Sequence, residues 1–140
     1  MIDALTCLAV AIYFEARGEP IDGQMLVAET IINRVDDERW PDTICEVVQQ
    51  PHQFSFYSDG LPDTPRDEDA YATALQVAAE AMAGDHLWAG PLYYHTTDVH
   101  PVWRHALEPI GIYGNHIFYT DTNDCRLPTC SVRPVMRPEN

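Results

Sequence analysis

The stretch AIYFEARGEP, residues 11–20, places an acidic side chain where a buried helix face is expected. If residues 3–17 form a helix, each residue turns by about 100°, so Glu15 points within about 20° of Leu8 on the apolar face. Burial and the negative end of the helix dipole both disfavour the carboxylate, which predicts a raised pKa. Cleavage of a glycosidic bond needs such an acid, because the leaving oxygen must receive a proton. Glu15 is therefore a candidate general acid, with a solvent-exposed Glu paired to an arginine as the alternative.

Glu19 is the second acid of this stretch, and its position predicts a different role. Gly18 is expected to end the first helix, which leaves Glu19 beside the N-terminus of the next one. The positive end of that helix dipole stabilises a carboxylate. We therefore expect Glu19 to cap a helix or to form an ion pair rather than to take part in catalysis.

Helical spacing of apolar residues defines the elements that must hold these acids. The predicted helices cover residues 3–17, 22–38, 43–50 and 67–83. Gly18 and Gly84 are placed to end the first and the last of them, and Asp42 or Thr43 is placed to cap the third. The region 51–66 is rich in Pro, Gly and Asp, which predicts a loop.

Two stretches rich in aromatic and β-branched residues, PLYYHTT and NHIFYTD, predict two strands of a small antiparallel sheet. The segment between them, 96–115, is predicted to be an irregular connection. The sequence thus predicts an α+β fold, mostly helical, with one domain over 1–126 and a Pro-rich peripheral tail over 127–140.

Charge and hydropathy exclude two classes of partner. Eight basic residues against twenty-two acidic ones give a net charge of −14, which repels phosphate backbones and predicts that the protein does not bind nucleic acid. No apolar run approaches the ~20 residues that a membrane span needs, so no membrane partner is expected. The first residues, MIDALTCLAV, lack the basic start and the cleavage site of a secretory signal, so we expect synthesis in the cytoplasm.

The four cysteines lead to two expectations. Cys7 and Cys45 fall on apolar helical positions and are predicted to be buried, inert thiols. Cys125 and Cys130 are placed to close a small loop over CRLPTC in an oxidising compartment, and the sequence leaves their redox state open.

A resemblance to a known family rests on four segments of the chain. They are LAVAIYFEARGEPIDGQMLVAETIINRV, WPDTICEVVQQPHQFSF, the tyrosine pair at 93–94, and GNHIFY at 114–119. Together they resemble the spore-cortex-lytic cell-wall hydrolases of the SleB and CwlJ type, over residues 5 to about 119. The resemblance implies a lysozyme-like lytic transglycosylase domain that cleaves peptidoglycan between N-acetylmuramic acid and N-acetylglucosamine.

The resemblance also implies roles for individual residues. The family's catalytic glutamate is the first Glu of EARGE, which is Glu15 here, the residue that helix geometry selects independently. It would protonate the glycosidic oxygen and then take the proton from the muramic 6-hydroxyl, leaving a 1,6-anhydro product without a metal or a cofactor. Tyr93 and Phe54 are favoured for the substrate cleft, and Phe118 for the core. The positions that match family motifs and are predicted to bind the glycan are Gln24, Asn33, Gln53, Phe54, Ser55, Tyr93, Tyr94 and His116.

Other chemistries remain open as alternatives. A hydrolysing muramidase would need a second carboxylate, Glu19 or Asp59, to position water. A zinc-dependent N-acetylmuramoyl-L-alanine amidase is the main other enzyme, although the six histidines show no H-E-x-x-H spacing. The non-enzymatic alternative is a glycan-binding module with a degenerate cleft, which is disfavoured because binding alone has no use for a raised pKa.

The expected partner is the glycan strand of peptidoglycan, and the protein is expected to be a monomer unless it belongs to a virion assembly. Without an export signal, the sequence predicts delivery to the cell wall by host lysis, as for a phage lysin, or within a virion. The net charge disfavours attraction to anionic wall polymers, so activity is expected to require salt.

Overall fold

A computed structural model of the protein describes residues 3–50, 64–84 and 90–121. The α+β class, dominated by helix and completed by a small antiparallel sheet, is confirmed. The second helix ends at residue 35, earlier than predicted. In chain order, the elements are α1 (Ala4–Ala16), α2 (Ile21–Val35), α3 (Ile44–Gln49), α4 (Glu68–Met82), β1 (Tyr93–Thr96), a 3₁₀ helix (Val102–Ala106), β2 (Leu107–Tyr113) and β3 (His116–Asp121).

The helix ends follow local signals in the sequence. Thr43 caps α3 by accepting a hydrogen bond from the backbone N–H of Glu46 at 3.2 Å, as its spacing predicts. Gly18 and Gly84 follow α1 and α4 with φ of +83° and +99°, a left-handed conformation that glycine adopts without steric cost. These ends are set by residues within one turn of the break, which is why the sequence predicts them.

The three strands form one antiparallel sheet in the order β1-β3-β2. The prediction of an irregular connection over 96–115 is wrong, because this segment contains the 3₁₀ helix and β2. Pro109 and Gly111 weaken the local strand signal, and the ladder shifts register between them. The strand forms because β3 supplies its hydrogen-bond partners, and no local pattern reports that pairing.

A disulfide joins Cys7 of α1 to Cys45 of α3, with 5.3 Å between the two Cα atoms. The prediction of two inert buried thiols is therefore wrong. Each helix pattern places its own cysteine on an inner face, but the meeting of the two faces is set by the packing of α1 against α3. Cys125 and Cys130 lie outside the described residues, as does the tail predicted from residue 127.

The hydrophobic core is built around α1, which packs against α2, α3 and α4. Leu8, Ala11 and Ile12 on its inner face are fully buried, and Phe118 of β3 joins the same core, as predicted. In the part of the chain that the structure describes, no helix is long and apolar enough to cross a membrane.

Two neighbouring side chains of α2 connect the helices to the sheet. Asn33 Nδ2 donates to the carbonyl oxygen of Pro91 at 3.0 Å, and Arg34 Nε donates to that of Leu92 at 2.8 Å. Both carbonyls lie immediately before β1, so the start of this strand is held against α2. The following tyrosines of β1 are thereby fixed relative to the helices.

A group of paired charges, the Arg39 cluster, ties the end of β3 to the turn after α2. Arg39 Nη2 lies 2.8 Å from Asp37 Oδ2 and 2.6 Å from Asp121 Oδ2. The guanidinium carbon lies 4.9 Å from the ring centroid of Trp40, and Nη1 donates to Tyr93 Oη at 3.5 Å. These five residues form the Arg39 cluster, in which each carboxylate faces the same cation.

Candidate active site

Glu15 lies in the last turn of α1 and is half-buried. The hydroxyl of Tyr94, on β1, donates a hydrogen bond to Glu15 Oε1 at 2.6 Å. Helix geometry predicts an inward Glu15, and the structure places its carboxyl between α1 and the sheet. Because some of its surface stays accessible, the carboxyl is placed to meet a ligand from outside.

The protonation of Glu15 is set by two opposing effects. Burial raises the pKa of Glu15 from 4.5 to about 7, and the hydrogen bond from Tyr94 acts in the opposite direction. Burial, followed by the nearby Glu15 charge, raises the pKa of Tyr94 well above its usual value, so Tyr94 remains a neutral donor. Near neutral pH, Glu15 is therefore able both to give and to take a proton.

His116 packs against the ring of Tyr94. The two rings meet edge to face, with 5.2 Å between centroids and an interplanar angle of 83°. His116 is almost fully buried, and this burial lowers its pKa, which favours the neutral imidazole near neutral pH. Its Nδ1 lies 3.5 Å from Glu19 Oε1, so the imidazole stands between Glu19 and Tyr94.

Glu19 fastens the turn between β2 and β3 to the segment that joins α1 to α2. Its Oε1 accepts a hydrogen bond from the backbone N–H of Asn115 at 2.5 Å, and its Oε2 accepts one from Asn115 Nδ2 at 3.1 Å. Gly114 has a φ of +61°, and a Cβ at this position would collide with Glu19 and Pro20. The role of Glu19 is therefore structural, but it is neither the helix cap nor the ion pair that the sequence predicts, since no side chain caps the start of α2 and Glu19 binds the turn instead. We term these contacts the turn latch.

Of the residues predicted to bind the glycan, Tyr94, His116 and Gln24 lie in this region. Tyr94 and His116 have almost no exposed surface. Tyr94 contacts Glu15 and His116, and neither ring offers a free face. Gln24 is also buried, and its Nε2 donates to the backbone carbonyl of Glu19 at 3.1 Å. Gln24 also lines a surface pocket together with Tyr13 and Arg17, so of the three it is the one that meets an open space.

The structure assigns the other described candidates to different places. Tyr93 has no exposed surface and packs against Trp40 and Trp103, so the prediction that it lines the cleft is wrong and its core alternative holds. Asn33 is half-buried and uses its amide on the carbonyl before β1. Gln53, Phe54 and Ser55 lie outside the described residues.

The described histidines do not assemble a metal site. Across residues 3–50, 64–84 and 90–121, no group of three His, Cys, Asp or Glu side chains is arranged to hold a metal ion. His95, for example, places its two ring nitrogens 2.7 Å from the Thr96 carbonyl and 2.8 Å from Tyr119 Oη. His52 and His86 fall outside these ranges.

Sequence reasoning missed the pairing of Glu15 with Tyr94 and the turn latch. Tyr94 is predicted as a glycan contact, but its hydroxyl reaches Glu15 across 79 positions of sequence. The available signal was the tyrosine pair in a predicted strand, because consecutive strand residues face opposite sides. That alternation indicates one inner and one outer tyrosine without saying which of them meets Glu15.

Comparison with known proteins identifies relatives over most of the chain. The model of a family described as cell wall hydrolase matches residues 18–119, so Glu15 lies just before the match. A spore cortex-lytic enzyme of Halalkalibacterium halodurans is 35% identical over 112 residues, covering 79% of this chain and 33% of that protein. One of Bacillus subtilis is 33% identical over 112 residues, covering 79% and 35%. The chain therefore spans about a third of the length of these two relatives.

Two solved structures share the fold. The catalytic domain of the germination-specific lytic transglycosylase SleB from Bacillus anthracis superposes with a TM-score of 0.71 at 33% identity, covering 84% of this chain and 93% of that chain. The catalytic domain of the Bacillus cereus SleB protein gives the same score and identity, covering 84% and 89%. The similarity thus extends over nearly the whole of both catalytic domains.

Proposed function

The chain belongs to the cell wall hydrolase family, and on this premise we propose that it cleaves peptidoglycan glycan strands as a lytic transglycosylase. The proposed bond is the one between N-acetylmuramic acid and N-acetylglucosamine. Glu15 is the single acid and base of the reaction. The similarity to a catalytic domain described as a lytic transglycosylase supports this reaction class.

The observation that carries the proposal is the Glu15 carboxyl, held by Tyr94 in a partly accessible place with a pKa of about 7. Below that pH, Glu15 is mostly protonated and able to donate. Above it, Glu15 is mostly ionised and able to accept. A group that must do both in one cycle works best when its pKa is close to the working pH.

The proposed cycle returns Glu15 to its starting state. Glu15 gives its proton to the glycosidic oxygen as the bond from C1 to that oxygen breaks. The ionised Glu15 then takes the proton from the muramic 6-hydroxyl, whose oxygen forms a new bond to C1. The products are a 1,6-anhydromuramic end and a free hydroxyl on the neighbouring sugar. No water enters the products.

The alternative of a hydrolysing muramidase requires a second carboxylate that positions water. Glu19 is a poor candidate, since both of its carboxylate oxygens accept hydrogen bonds from Asn115. Asp59, the other acid considered, lies outside the described residues. The turn latch therefore favours the one-carboxylate reaction.

The test is mass spectrometry of muropeptides released from purified peptidoglycan by the wild type and by Glu15→Gln. We expect anhydromuramic ends from the wild type and none above background from the variant. Reducing muramic ends would indicate a muramidase, and cleaved peptide stems would indicate an amidase. Glycan binding without any released product would indicate a non-enzymatic binding module. Glu38→Gln is the matched control, because Glu38 is exposed.

For the place of action, we propose a compartment more oxidising than the cytoplasm. The disulfide between Cys7 and Cys45 supports this, because such bonds persist mainly outside reducing compartments. Non-reducing peptide mapping of enzyme recovered from wall, spore or virion fractions should find Cys7 linked to Cys45, and two free thiols would contradict the proposal. Delivery by host lysis or within a virion stays a prediction, tested by searching purified virions for the protein.

A further inference from the structure

The hydroxyl of Tyr94 joins the proposed acid to the sheet, and the turn latch lies behind Tyr94. We propose that Tyr94 is a positioning residue that determines which oxygen of Glu15 carries the reactive proton. We further propose that the turn latch keeps Tyr94 in place through His116. This inference rests on the proposed role of Glu15, and its test separates the two.

The hydrogen bond from Tyr94 makes the two oxygens of Glu15 unequal. Tyr94 Oη donates to Oε1 at 2.6 Å, and among the described residues no other side chain donates to Glu15. A protonated carboxyl carries its hydrogen on one oxygen and accepts on the other. Because Oε1 is the acceptor, the reactive proton lies on Oε2. The same bond stabilises the ionised Glu15 that remains after the proton has moved to the glycosidic oxygen.

Tyr94 is itself held by rings on β3. His116 meets it edge to face at 5.2 Å between centroids, and Phe118, its partner in the strand pairing, lies at 5.5 Å with an interplanar angle of 45°. Aromatic rings packed in this way leave little freedom to turn. His116 and Phe118 together therefore hold the Tyr94 ring and its hydroxyl, so a displacement of His116 should displace the hydroxyl.

The turn latch determines the position of His116. Glu19 accepts two hydrogen bonds from Asn115, the residue before His116, and Glu19 Oε1 lies 3.5 Å from His116 Nδ1. Without Glu19, the turn is free to move away from the end of α1 and to carry the imidazole with it. The order of contacts from surface to acid is then Glu19, His116, Tyr94 and Glu15.

The groups whose charges shift the pKa of Tyr94 or His116 lie on several elements. Arg34 of α2 and Glu15 of α1 act on Tyr94. Glu19, between α1 and α2, and His95 of β1 act on His116. A Tyr94→Phe change leaves these four side chains in place and removes the hydroxyl that donates to Glu15, so it tests that hydrogen bond.

The primary test is the pH dependence of glycan cleavage by Tyr94→Phe. Loss of the hydrogen bond should raise the pKa of Glu15 further, so the alkaline limb of the rate profile should move to higher pH. The rate at the optimum should fall roughly ten- to hundredfold, as for the loss of a hydrogen bond to a charged group. Tyr119→Phe is the matched control, since it removes a buried hydroxyl that bonds His95 instead and should leave the alkaline limb unchanged.

A direct titration of Glu15 measures the same pKa change without relying on enzyme activity. Carbon-13 NMR of carboxyl-labelled glutamate, with Glu15→Gln to assign the resonance, should report a higher pKa for Glu15 in Tyr94→Phe than in the wild type. An unchanged titration together with an unchanged alkaline limb would overturn the role of Tyr94. If Glu15→Gln is inactive in that case, the proposed function still stands. If Glu15→Gln retains wild-type activity, the proposed function fails and this inference fails with it.

A second pair of variants tests the turn latch from outside. Glu19→Ala removes it, and the alkaline limb should move in the same direction as in Tyr94→Phe but by less. Asp22→Ala removes an exposed carboxylate nearby and should have no such effect. If the alkaline limb of the pH–rate profile of Glu19→Ala coincides with that of the wild type, the proposed role of the turn latch is overturned. This variant also keeps the inference testable if Tyr94→Phe folds poorly.

Discussion

Two adjacent tyrosines of β1 face two regions that differ in whether their charged side chains are paired. Tyr93 lies in the Arg39 cluster, where Asp37 and Asp121 share one guanidinium. Tyr94 faces Glu15, which receives a hydrogen bond from a neutral hydroxyl and, among the described residues, forms no ion pair. Alternation along a strand is enough to separate the two regions onto opposite faces.

The two regions differ in how their surroundings shift the pKa of the charged groups. Pairing keeps the charges of the Arg39 cluster fixed, since Asp37, followed by Asp121, raises the pKa of Arg39. No cation among the described residues lies beside Glu15, so burial raises its pKa to about 7. The Arg39 cluster thus pairs its charges, whereas Glu15 has, among the described residues, no cation beside it, as the proposed proton transfer requires.

The largest effect should come from breaking the Glu15 side of this comparison. Glu15→Gln retains the shape of the side chain and an acceptor for Tyr94 but cannot donate a proton. We expect the rate of glycan cleavage to fall on the order of 10²- to 10⁴-fold, as for the loss of a general acid. Release of soluble muropeptides per folded molecule is the measurement, and a loss below about tenfold would remove Glu15 from the mechanism.

The same variant should be more stable than the wild type at alkaline pH. The folded protein binds the Glu15 proton more tightly than the unfolded chain, so stability from this group is lost as pH rises from 4.5 to about 7. The cost above pH 7 is about 3 kcal/mol in the free energy of unfolding. Urea unfolding near pH 8 should find Glu15→Gln more stable, with the difference vanishing near pH 4. Equal stability at both values would contradict the raised pKa.

Disrupting the Arg39 cluster should lower the stability of the protein and leave its activity unchanged. Arg39→Ala leaves Asp37 and Asp121 without their shared cation and should cost about 2 kcal/mol, less than a fully buried pair because all three side chains keep some exposure. Activity per folded molecule should be retained, because Tyr93 faces away from Glu15. Arg66→Ala, at an exposed position, is the charge-matched control. A loss of activity without a loss of stability would contradict the separation of the two regions.

Exposed charges, which belong to neither region, should give the smallest effect. With a net charge of −14, the protein is repelled by anionic wall polymers, so activity on whole walls should rise with salt by less than about tenfold. A series of rates against ionic strength measures this. A maximum at the lowest salt would contradict the expectation. An uncharged soluble glycan fragment should show little salt dependence.

Local features of the chain were predictable because their causes are local. The helices, the glycines that end α1 and α4, and the Thr43 cap depend on residues within a turn or two of each other. The inward direction of Glu15 follows from the same periodicity. Strand β2 was not predictable in this way, because Pro109 and Gly111 are poor strand formers and the strand depends on pairing with β3.

The sequence by itself determined the class of fold, the helix that carries Glu15 and the unfavourable placement of its charge. Only the tertiary structure determined which side chains from other elements lie beside the acids and the cysteines of these helices. It brings Tyr94 to Glu15 across 79 positions, Asn115 to Glu19 across 96, and Cys7 to Cys45 across 38. The physical reason is that periodicity specifies which way a side chain points along its own element, whereas contacts between elements depend on how all of them pack together.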